Sequence, residues 1–291
     1  MTEERSWKLL DLLRQATEFL ASKGLESSRL EAEWMLASAL GVRRIDLYLQ
    51  FEKVLQSTEV ESFRSLVRQR LSGRPLQYIT GDAGFRLLDL QVDERVLVPR
   101  PETEILVEEA LAFLGDEPAG AVLDVGCGSG AIAISIAREC QAARVLATDL
   151  SAPALAVARS NAERHGVQDR IRFLCGDLLA PLGVEARFAA IVSNPPYIAS
   201  ADIAALQPQV RDHEPHLALD GGVDGLDVIR RLVPLAAAHL LAAGRVFIEV
   251  GAGQSAAVEV LLRDAGFDSS TVSTREDLAG ILRIVTGAIP G

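Results

Sequence analysis

Apolar residues in the first 75 positions recur every three or four residues, the spacing that places them on one face of an α-helix. The clearest series predicts a helix that ends near Lys23 and Gly24. Its apolar members are Trp7, Leu10, Leu13, Ala16 and Leu20. Apolar stripes over 31–40 and 60–71 predict two more helices, and we expect Trp7 and Trp34 to lie in the core. Residues 1–75 are therefore predicted to form a small helical bundle that ends at a Gly-Arg-Pro breaker.

The pattern becomes strand-like after residue 75. Residues 85–92 and 95–98 predict two short strands, so we interpret 76–99 as a β-hairpin linker. A helix that runs to Leu114 follows, and the side chain of Glu102 or Thr103 is suited to cap its first turn.

Strands and helices then alternate through residues 100–291, which we interpret as one domain. Strands are predicted over 121–125, 144–148, 171–175, 188–193, 245–250 and 280–285. Helices are predicted over 132–140, 152–165, 226–241 and 255–265. This alternation is typical of an α/β fold in which helices cover both faces of a mostly parallel sheet.

Composition restricts the setting of this fold. Hydrophobic residues make up 49% of the 291 residues, enough for a large core and for two domains. No apolar run is as long as a membrane span, and the polar start of the chain does not resemble a secretory signal. The three cysteines, at positions 127, 140 and 175, show no Cys-x-x-Cys spacing. We therefore expect a cytoplasmic protein without a membrane partner.

The charge is unevenly distributed along the chain. The net charge is −11; residues 1–75 carry 12 Lys and Arg against 11 Asp and Glu, whereas residues 76–291 carry 17 against 29. The acidic second part disfavours direct binding of nucleic acid and favours a cationic cofactor or a basic protein. The arginines of the first part either solvate helix faces or contact a partner; they are Arg43, Arg44, Arg64, Arg68, Arg70 and Arg74.

The tetrapeptide Asn194-Pro195-Pro196-Tyr197 directly follows the predicted buried strand 188–193. Open α/β folds bind their ligands at the carboxyl ends of such strands. The two prolines fix the backbone, while the Asn194 side chain and the Pro195 carbonyl offer acceptors for both hydrogens of one planar –NH2 group. Tyr197 adds a flat face beside them. We therefore predict a clamp for an amide or a base amine.

A glycine-rich turn joins strand 121–125 to helix 132–140. It runs from Asp124 through Gly126, Cys127, Gly128, Ser129 and Gly130. Glycines allow a backbone to approach a ligand closely, and the spacing also fits the dinucleotide fingerprint. The acid at Asp124, placed to face a ligand's ammonium group, and the –NH2 clamp both argue against hydride transfer with NAD.

Acidic residues follow the next two predicted strands. Asp149 is placed to accept hydrogen bonds from two ribose hydroxyls, and Asp177 from the exocyclic amine of adenine, with Leu178 packing on the ring. The alternative is that the two aspartates only cap helices. Together with the glycine turn they predict a site for S-adenosylmethionine, an adenosyl ligand that has no pyrophosphate.

These motifs resemble the release-factor glutamine methyltransferases, within the class I S-adenosylmethionine-dependent methyltransferases. The resemblance covers nearly the whole chain, and its further pieces are residues 73–81, 96–104, 214–215, 221–226 and 249–254. It implies a Rossmann-like, seven-stranded, mostly parallel sheet, an N-terminal helical domain that holds the release factor, and a hairpin linker. Cys127 stands where many relatives have Thr, and Leu178 where some have an aromatic ring.

The resemblance also implies the substrate, which is the glutamine of the Gly-Gly-Gln loop in bacterial class I release factors. In this interpretation Asn194 and Pro195 accept hydrogen bonds from the amide N–H groups, and Tyr197 packs on the amide plane. Glu102 and Thr103 line the glutamine pocket or only cap their helix. No metal is expected, and Cys127 is expected to act as a small residue and not as a nucleophile.

Three other functions remain open from the sequence. An adenine or cytosine amino-methyltransferase would use the same clamp, but it would need a flipped base and a basic cleft. A methyltransferase for a ribosomal-protein glutamine differs only by degree. A binding module without catalysis would keep the fold but would not need Asn194 and Tyr197 together with the glycine turn.

Overall fold

The structure, a computed structural model, describes residues 7–291 and divides the chain into two units. The first comprises Met1–Gly81 and Pro208–His213, and the second comprises Asp82–Gln207 and Glu214–Gly291. The division at Gly81 falls inside the predicted linker, whose limits at residues 75 and 99 stay predictions. No helix within the described residues is long and apolar enough to cross a membrane.

The first unit is a helical bundle. Its helices are α1 (Leu9–Ser22), α2 (Ser28–Leu40), α3 (Ser57–Leu71), α4 (Leu76–Thr80) and the short α8 (Pro208–Arg211), with a 3₁₀ turn at Arg44–Leu49. Strands β1 (Trp7–Lys8) and β2 (Val54–Leu55) pair in antiparallel fashion. The bundle forms because each long helix buries an apolar stripe: α1 contributes Leu9, Leu13 and Leu20 to the core.

Two expectations for this unit were wrong. Trp7 is buried, but it lies in β1 and not in α1. Trp34 is 45% exposed, and the guanidinium of Arg44 lies over its ring at 5.5 Å from the centroid. A cation over the ring gives the indole a favourable surface position, so its apolar character does not require burial.

A hairpin begins the second unit, with bounds that differ from the expected ones. Strands β3 (Asp82–Phe85) and β4 (Leu88–Gln91) pair around a turn at Arg86, whose φ is +49°. The predicted strand 85–92 therefore runs across the real turn, and residues 95–98 form no strand. The Arg86 side chain stabilises the turn through hydrogen bonds of 2.7 Å to both carboxylate oxygens of Glu139.

The rest of the second unit is the predicted α/β domain. Its helices are α5 (Pro101–Leu114), α6 (Ala131–Glu139), α7 (Ala152–Arg164), α9 (Asp227–His239) and α10 (Ser255–Asp264). Its strands are β5 (Val122–Val125), β6 (Val145–Asp149), β7 (Ile171–Cys175), β8 (Phe188–Ser193), β9 (Leu240–Glu249), β10 (Ser273–Glu276) and β11 (Leu282–Ala288). Most boundaries lie within one or two residues of the predicted ones. Strand β10, with sequence Ser-Thr-Arg-Glu, is largely exposed and carries no apolar signal, so the pattern missed it.

These strands form one seven-stranded sheet in the order β10-β11-β9-β8-β5-β6-β7. Five strands are parallel, while β11 pairs antiparallel with both β9 and β10. Apolar clusters cover both faces, with α5, α6 and α7 over one and α9 and α10 over the other. The fold-class prediction is confirmed. The strand order reverses between β5 and β8, and such a switch point opens a crevice at the carboxyl ends of the strands.

Candidate active site

The Asn-Pro-Pro-Tyr motif leaves the carboxyl end of β8, next to β5 at the switch point of the sheet. All six residues of β8 are buried, because both faces of the sheet are covered by helices. Asn194 and Tyr197 are half-buried, and Pro195 is buried between them. The apolar strand thus carries the motif from the core to the edge where ligands bind.

A hydrogen-bond network holds the polar side chains of the motif. The Nδ2 group of Asn194 donates to Oγ1 of Thr103 at 3.0 Å, and the Thr103 hydroxyl donates to Oε2 of Glu249 at 2.7 Å. The Tyr197 hydroxyl donates to Oε1 of the same carboxylate at 3.3 Å. Among the described residues, nothing donates a hydrogen bond to Oδ1 of Asn194 or to the Pro195 carbonyl. Both predicted acceptors therefore keep unused hydrogen-bonding capacity, and their use by a substrate stays a prediction.

Glu249 is the buried centre of this network. It ends β9 and has no exposed surface. Burial raises its pKa to about 7, and the negative charge of Glu102 adds to the rise, while the hydrogen bonds from Thr103 and Tyr197 and the charge of Arg283 oppose it. Burial also raises the pKa of Tyr197, so its phenol stays protonated and acts as a donor.

The backbone of the motif is braced by the loops that precede α9 and α10. The Gln254 side chain donates from Nε2 to the Tyr197 carbonyl at 2.9 Å and accepts from the Gly251 amide at 2.8 Å. Gly225 packs against the same carbonyl: its φ is +78°, and a Cβ there would lie 2.2 Å from the Tyr197 oxygen. Only glycine fits at that position without displacing the motif.

A cavity of about 310 Å³ lies at the carboxyl ends of β5, β6 and β8 in this unit. Its wall includes Asn194 and Pro196 of the motif and Thr103 of α5, whereas Pro195, Tyr197 and Glu102 do not line it. The glycine turn contributes Gly126, Cys127 and Ser129 to the wall. Asp149, Asp177 and Leu178, from the ends of β6 and β7, also line the cavity, whereas Asp124, Gly128 and Gly130 of the predicted cofactor set do not.

Asp149 shapes the turn from the wall of the cavity. Its Oδ2 accepts from the Gly128 amide and its Oδ1 from the Ser151 amide, each at 2.8 Å. Burial raises its pKa, while both amide hydrogen bonds oppose the rise. Each carboxylate oxygen has a second lone pair, so these bonds leave acceptor capacity for a ligand's hydroxyl groups.

Asp177 forms an ion pair with Arg231 at the rim, where its side chain is 45% exposed. Leu178 follows with a positive φ of +49° and packs partly on the core. Asp177 therefore neither caps a helix nor stands alone. Whether it accepts from an adenine amine stays a prediction.

Asp124 lies beneath the glycine turn and is fully buried, not at the cavity wall. Its Oδ2 accepts from the Ala133 amide at 3.0 Å, whereas its Oδ1 has no hydrogen-bond partner within residues 7–291. Burial raises the pKa of Asp124 to about 8. The expected contact of Asp124 with an ammonium group stays a prediction.

The two remaining turn residues have other tasks. Gly130 has a φ of +84° and precedes α6, and a Cβ there would meet Ile134 at 2.9 Å and Ala158 at 3.2 Å.

Burial raises the pKa of the Cys127 thiol well above its usual value, so the thiol stays protonated, which disfavours a nucleophilic role. Within the described part of the chain, no group of three His, Cys, Asp or Glu side chains is placed to hold a metal ion.

Comparisons with known proteins give the family. The family model described as "PrmC N-terminal domain" matches residues 11–81, and the one described as "Methyltransferase small domain" matches residues 102–264. Release factor glutamine methyltransferase of Geobacter sulfurreducens is 45% identical over 290 residues, covering 99% of this chain and 100% of that protein. The protein of the same name from Chlorobaculum tepidum is 44% identical over 272 residues, which cover 90% of this chain and 92% of that protein. The chain belongs to the release factor glutamine methyltransferase family.

A solved structure supports the fold of this methyltransferase. The T. thermophilus 16S rRNA N2 G1207 methyltransferase, in complex with AdoMet and guanosine, aligns with a TM-score of 0.52 at 21% identity. The alignment covers 72% of this chain and 49% of that one. Because the identity is low, the likeness shows a shared fold alone.

The structure corrects one expectation for the methyltransferase site. Neither Glu102 nor Thr103 caps α5 with its side chain: Arg100 is the N-cap residue, and Thr103 turns inward to the network. The reason is that Pro101 begins the helix and moves Thr103 to its third position, which faces the sheet.

Glu249, the centre of this network, was not among the predicted site residues. The signal was present, because a carboxylate that ends the apolar run Val246–Ile248 is unusual in a buried strand. Its partners could not be found in the sequence, since Thr103 lies 146 residues away. The ion pair of Arg100 with buried Glu214, at 2.6 Å, is a second long-range contact of this kind.

Proposed function

We propose that this methyltransferase transfers a methyl group from S-adenosylmethionine to the side-chain amide nitrogen of a glutamine in a bacterial class I peptide chain release factor. The target is the glutamine of the Gly-Gly-Gln motif, and the setting is the cytoplasm. One observation carries the proposal: the Asn194 amide is held by its nitrogen, which leaves its oxygen available to accept an N–H of a substrate amide. The curated relatives are named for this activity.

The cavity has the character that an adenosyl cofactor requires. Apolar side chains of Ile132, Leu150 and Leu178 offer contact to an adenine ring, and the carboxylate of Asp149 suits the ribose hydroxyls. The related fold that binds AdoMet supports the same choice. We assign Gly126, Cys127, Gly128, Ser129 and Gly130 to the cofactor, with Asp124, Asp177 and Asn194. When bound, S-adenosylmethionine supplies an electrophilic methyl group on sulfur.

The protein must make a poor nucleophile reactive. A carboxamide nitrogen is weakly nucleophilic because its lone pair is delocalised into the carbonyl group. Oδ1 of Asn194 and the carbonyl of Pro195 accept its two N–H groups, and these bonds strengthen as positive charge develops on nitrogen. Pro196 keeps the backbone rigid, and Tyr197 packs on the amide plane. The proton becomes acidic only after transfer, so no strong general base is assigned.

A methyl-transfer assay with labelled S-adenosylmethionine tests the proposal. A bacterial release factor, its Gln→Ala loop variant, a ribosomal protein with a methylatable glutamine and duplex DNA are offered in parallel. We expect label on the intact release factor and none on the loop variant. Label on the ribosomal protein or on DNA in its place would refute the assignment, because the same clamp would then serve another –NH2 group.

We also propose that the helical domain 1–75 docks the release factor. Four of its arginines pair with carboxylates of the same unit, and of these Arg43 and Arg68 are exposed whereas Arg70 is only 14% exposed: Arg43 with Asp46, Arg44 with Glu33, Arg68 with Glu61 and Arg70 with Glu31. Removing residues 1–75 should raise KM for the release factor and leave cofactor affinity unchanged by calorimetry. An unchanged KM would refute the docking role.

A further inference from the structure

The direction of the hydrogen bonds between Asn194, Thr103 and Glu249 is fixed by chemistry. An ionised carboxylate only accepts hydrogen bonds, and a threonine hydroxyl has a single hydrogen to donate. The 2.7 Å contact is therefore a hydrogen bond that the Thr103 hydroxyl donates to Glu249. The Thr103 oxygen can then only accept a hydrogen bond from its other neighbour, Asn194. The group of Asn194 that lies 3.0 Å away must then be its –NH2.

This chain of bonds selects one of two orientations of the Asn194 amide. If the amide rotated by half a turn, its oxygen would face the Thr103 oxygen without a hydrogen between them. Its –NH2 would then point to the substrate, where it would repel the N–H groups of a glutamine. A buried, unsatisfied pair of acceptors costs about 1–3 kcal/mol, enough to favour one orientation by roughly 5- to 150-fold.

We infer that Glu249 is a positioning residue of the reaction, which acts through Thr103 to orient the Asn194 amide and holds the Tyr197 ring through its hydroxyl. The inference rests on the proposed function, since it assumes that Oδ1 of Asn194 meets a substrate N–H. Glu249 itself does not touch the substrate. Its two oxygens serve the two side chains of the clamp, so one carboxylate orients both.

The protonation of Glu249 should control this arrangement. The charged groups that face it are Glu102 on α5, which favours the protonated form, and Arg283 on β11, which favours the ionised form. Burial brings its pKa to about 7. A protonated Glu249 gains a donor and loses an acceptor, so the direction of the hydrogen bonds between Glu249, Thr103 and Asn194 is no longer fixed. Turnover should therefore fall as the pH drops through about 7.

Three full-length variants test the positioning role with the release factor as substrate. Thr103→Val removes the hydroxyl and keeps the shape, so we expect kcat to fall about 10- to 100-fold while cofactor affinity changes less than about 2-fold. Thr103→Ser keeps the hydroxyl and should retain kcat within about 3-fold. Thr286→Val is the matched control, because this buried hydroxyl on β11 has no partner within the described residues and its loss should change nothing.

The result that overturns the inference is a kcat for Thr103→Val equal to that of Thr286→Val. A parallel fall of kcat and cofactor affinity in both Thr103 variants would also overturn it, because that pattern indicates a structural role. Inactivity of the wild-type enzyme toward the release factor is a different outcome, which refutes the proposed function. Melting temperatures show whether each variant is folded.

The pH profile gives a second and independent measurement. We expect wild-type kcat to rise between about pH 6 and pH 8, and the rise to be absent in Glu249→Gln, whose side chain does not titrate. The glutamine can still accept from Thr103, so the variant should fold and bind cofactor. The same rise in both proteins, or none in the wild type, would contradict the role of Glu249.

Discussion

Replacing Asn194 with alanine removes the side chain that we place on the substrate amide, and the structure allows the expected effect to be estimated. The variant loses Oδ1, which has no hydrogen-bond donor within the described residues, and Nδ2, which donates to Thr103. The rest of the cavity wall stays, including the glycine turn and Asp149. Cofactor binding should therefore be nearly retained while turnover collapses.

Two magnitudes follow for Asn194→Ala. An acceptor that strengthens in the transition state resembles a donor of an oxyanion hole, whose removal costs about 2.7–4 kcal/mol, or roughly 10²- to 10³-fold in kcat. The lost hydrogen bond to Thr103 costs about 1 kcal/mol of folding free energy, which lowers the melting temperature by roughly 2–4 °C for a domain of this size. Catalysis should thus suffer far more than stability.

Labelled methyl transfer gives kcat for this variant, calorimetry gives the cofactor Kd, and a thermal melt gives stability. The expected pattern is a large fall in kcat, a Kd within about 3-fold of the wild type, and a small shift in melting. Equal losses of turnover and affinity would refute the reasoning, because the main role of Asn194 would then be to bind the cofactor and not to accept from the substrate amide.

Three more predictions concern the cofactor, the glycine brace and pH. Asp149→Ala should weaken cofactor affinity about 10- to 100-fold by calorimetry, because a charged acceptor for the ribose is lost. Gly225→Ala should lower kcat at least about 10-fold, since the new Cβ would lie 2.2 Å from a carbonyl of the motif. The folded pKa values of Asp124 and Glu249, about 8 and about 7, exceed their unfolded values of 3.8 and 4.5. Between the unfolded and the folded pKa of each group, the folded state binds more protons than the unfolded state. These two groups therefore lower the free energy of unfolding as the pH rises from about 4 to about 8.

Each of these predictions can be contradicted by one measurement. Gly253 has a similar φ of +82°, but no atom lies within 4 Å of a Cβ added there, so Gly253→Ala is the matched control for Gly225→Ala. An equal loss of kcat in the two variants would exclude the steric explanation. An unchanged Kd in Asp149→Ala would remove that residue from the cofactor site. Urea unfolding from pH 4.5 to 8 should show a shallower fall in stability for Glu249→Gln, and an identical slope would contradict the buried charge.

The sequence by itself determined the fold class and the positions of most elements. Helical spacing located α1, α2 and α3, and buried apolar runs located β5 and β8, because periodicity reports which face of an element is covered. The pattern missed β10, which is exposed and polar, since it is held by backbone pairing with β11 and not by its side chains. The hairpin was shifted for a different reason: its turn at Arg86 contains no glycine or proline that would mark it in the sequence.

The sequence also located the residues of the candidate site at the ends of strands, because parallel strands bring their carboxyl ends to one edge. Only the tertiary structure decided how these residues are used. It buried Asp124 beneath the turn and joined Thr103 to Glu249 across 146 residues, and so set the orientation of the Asn194 amide. Hydrogen-bond direction depends on which groups meet in space, and contacts between α5, β8 and β9 leave no periodic trace in the chain.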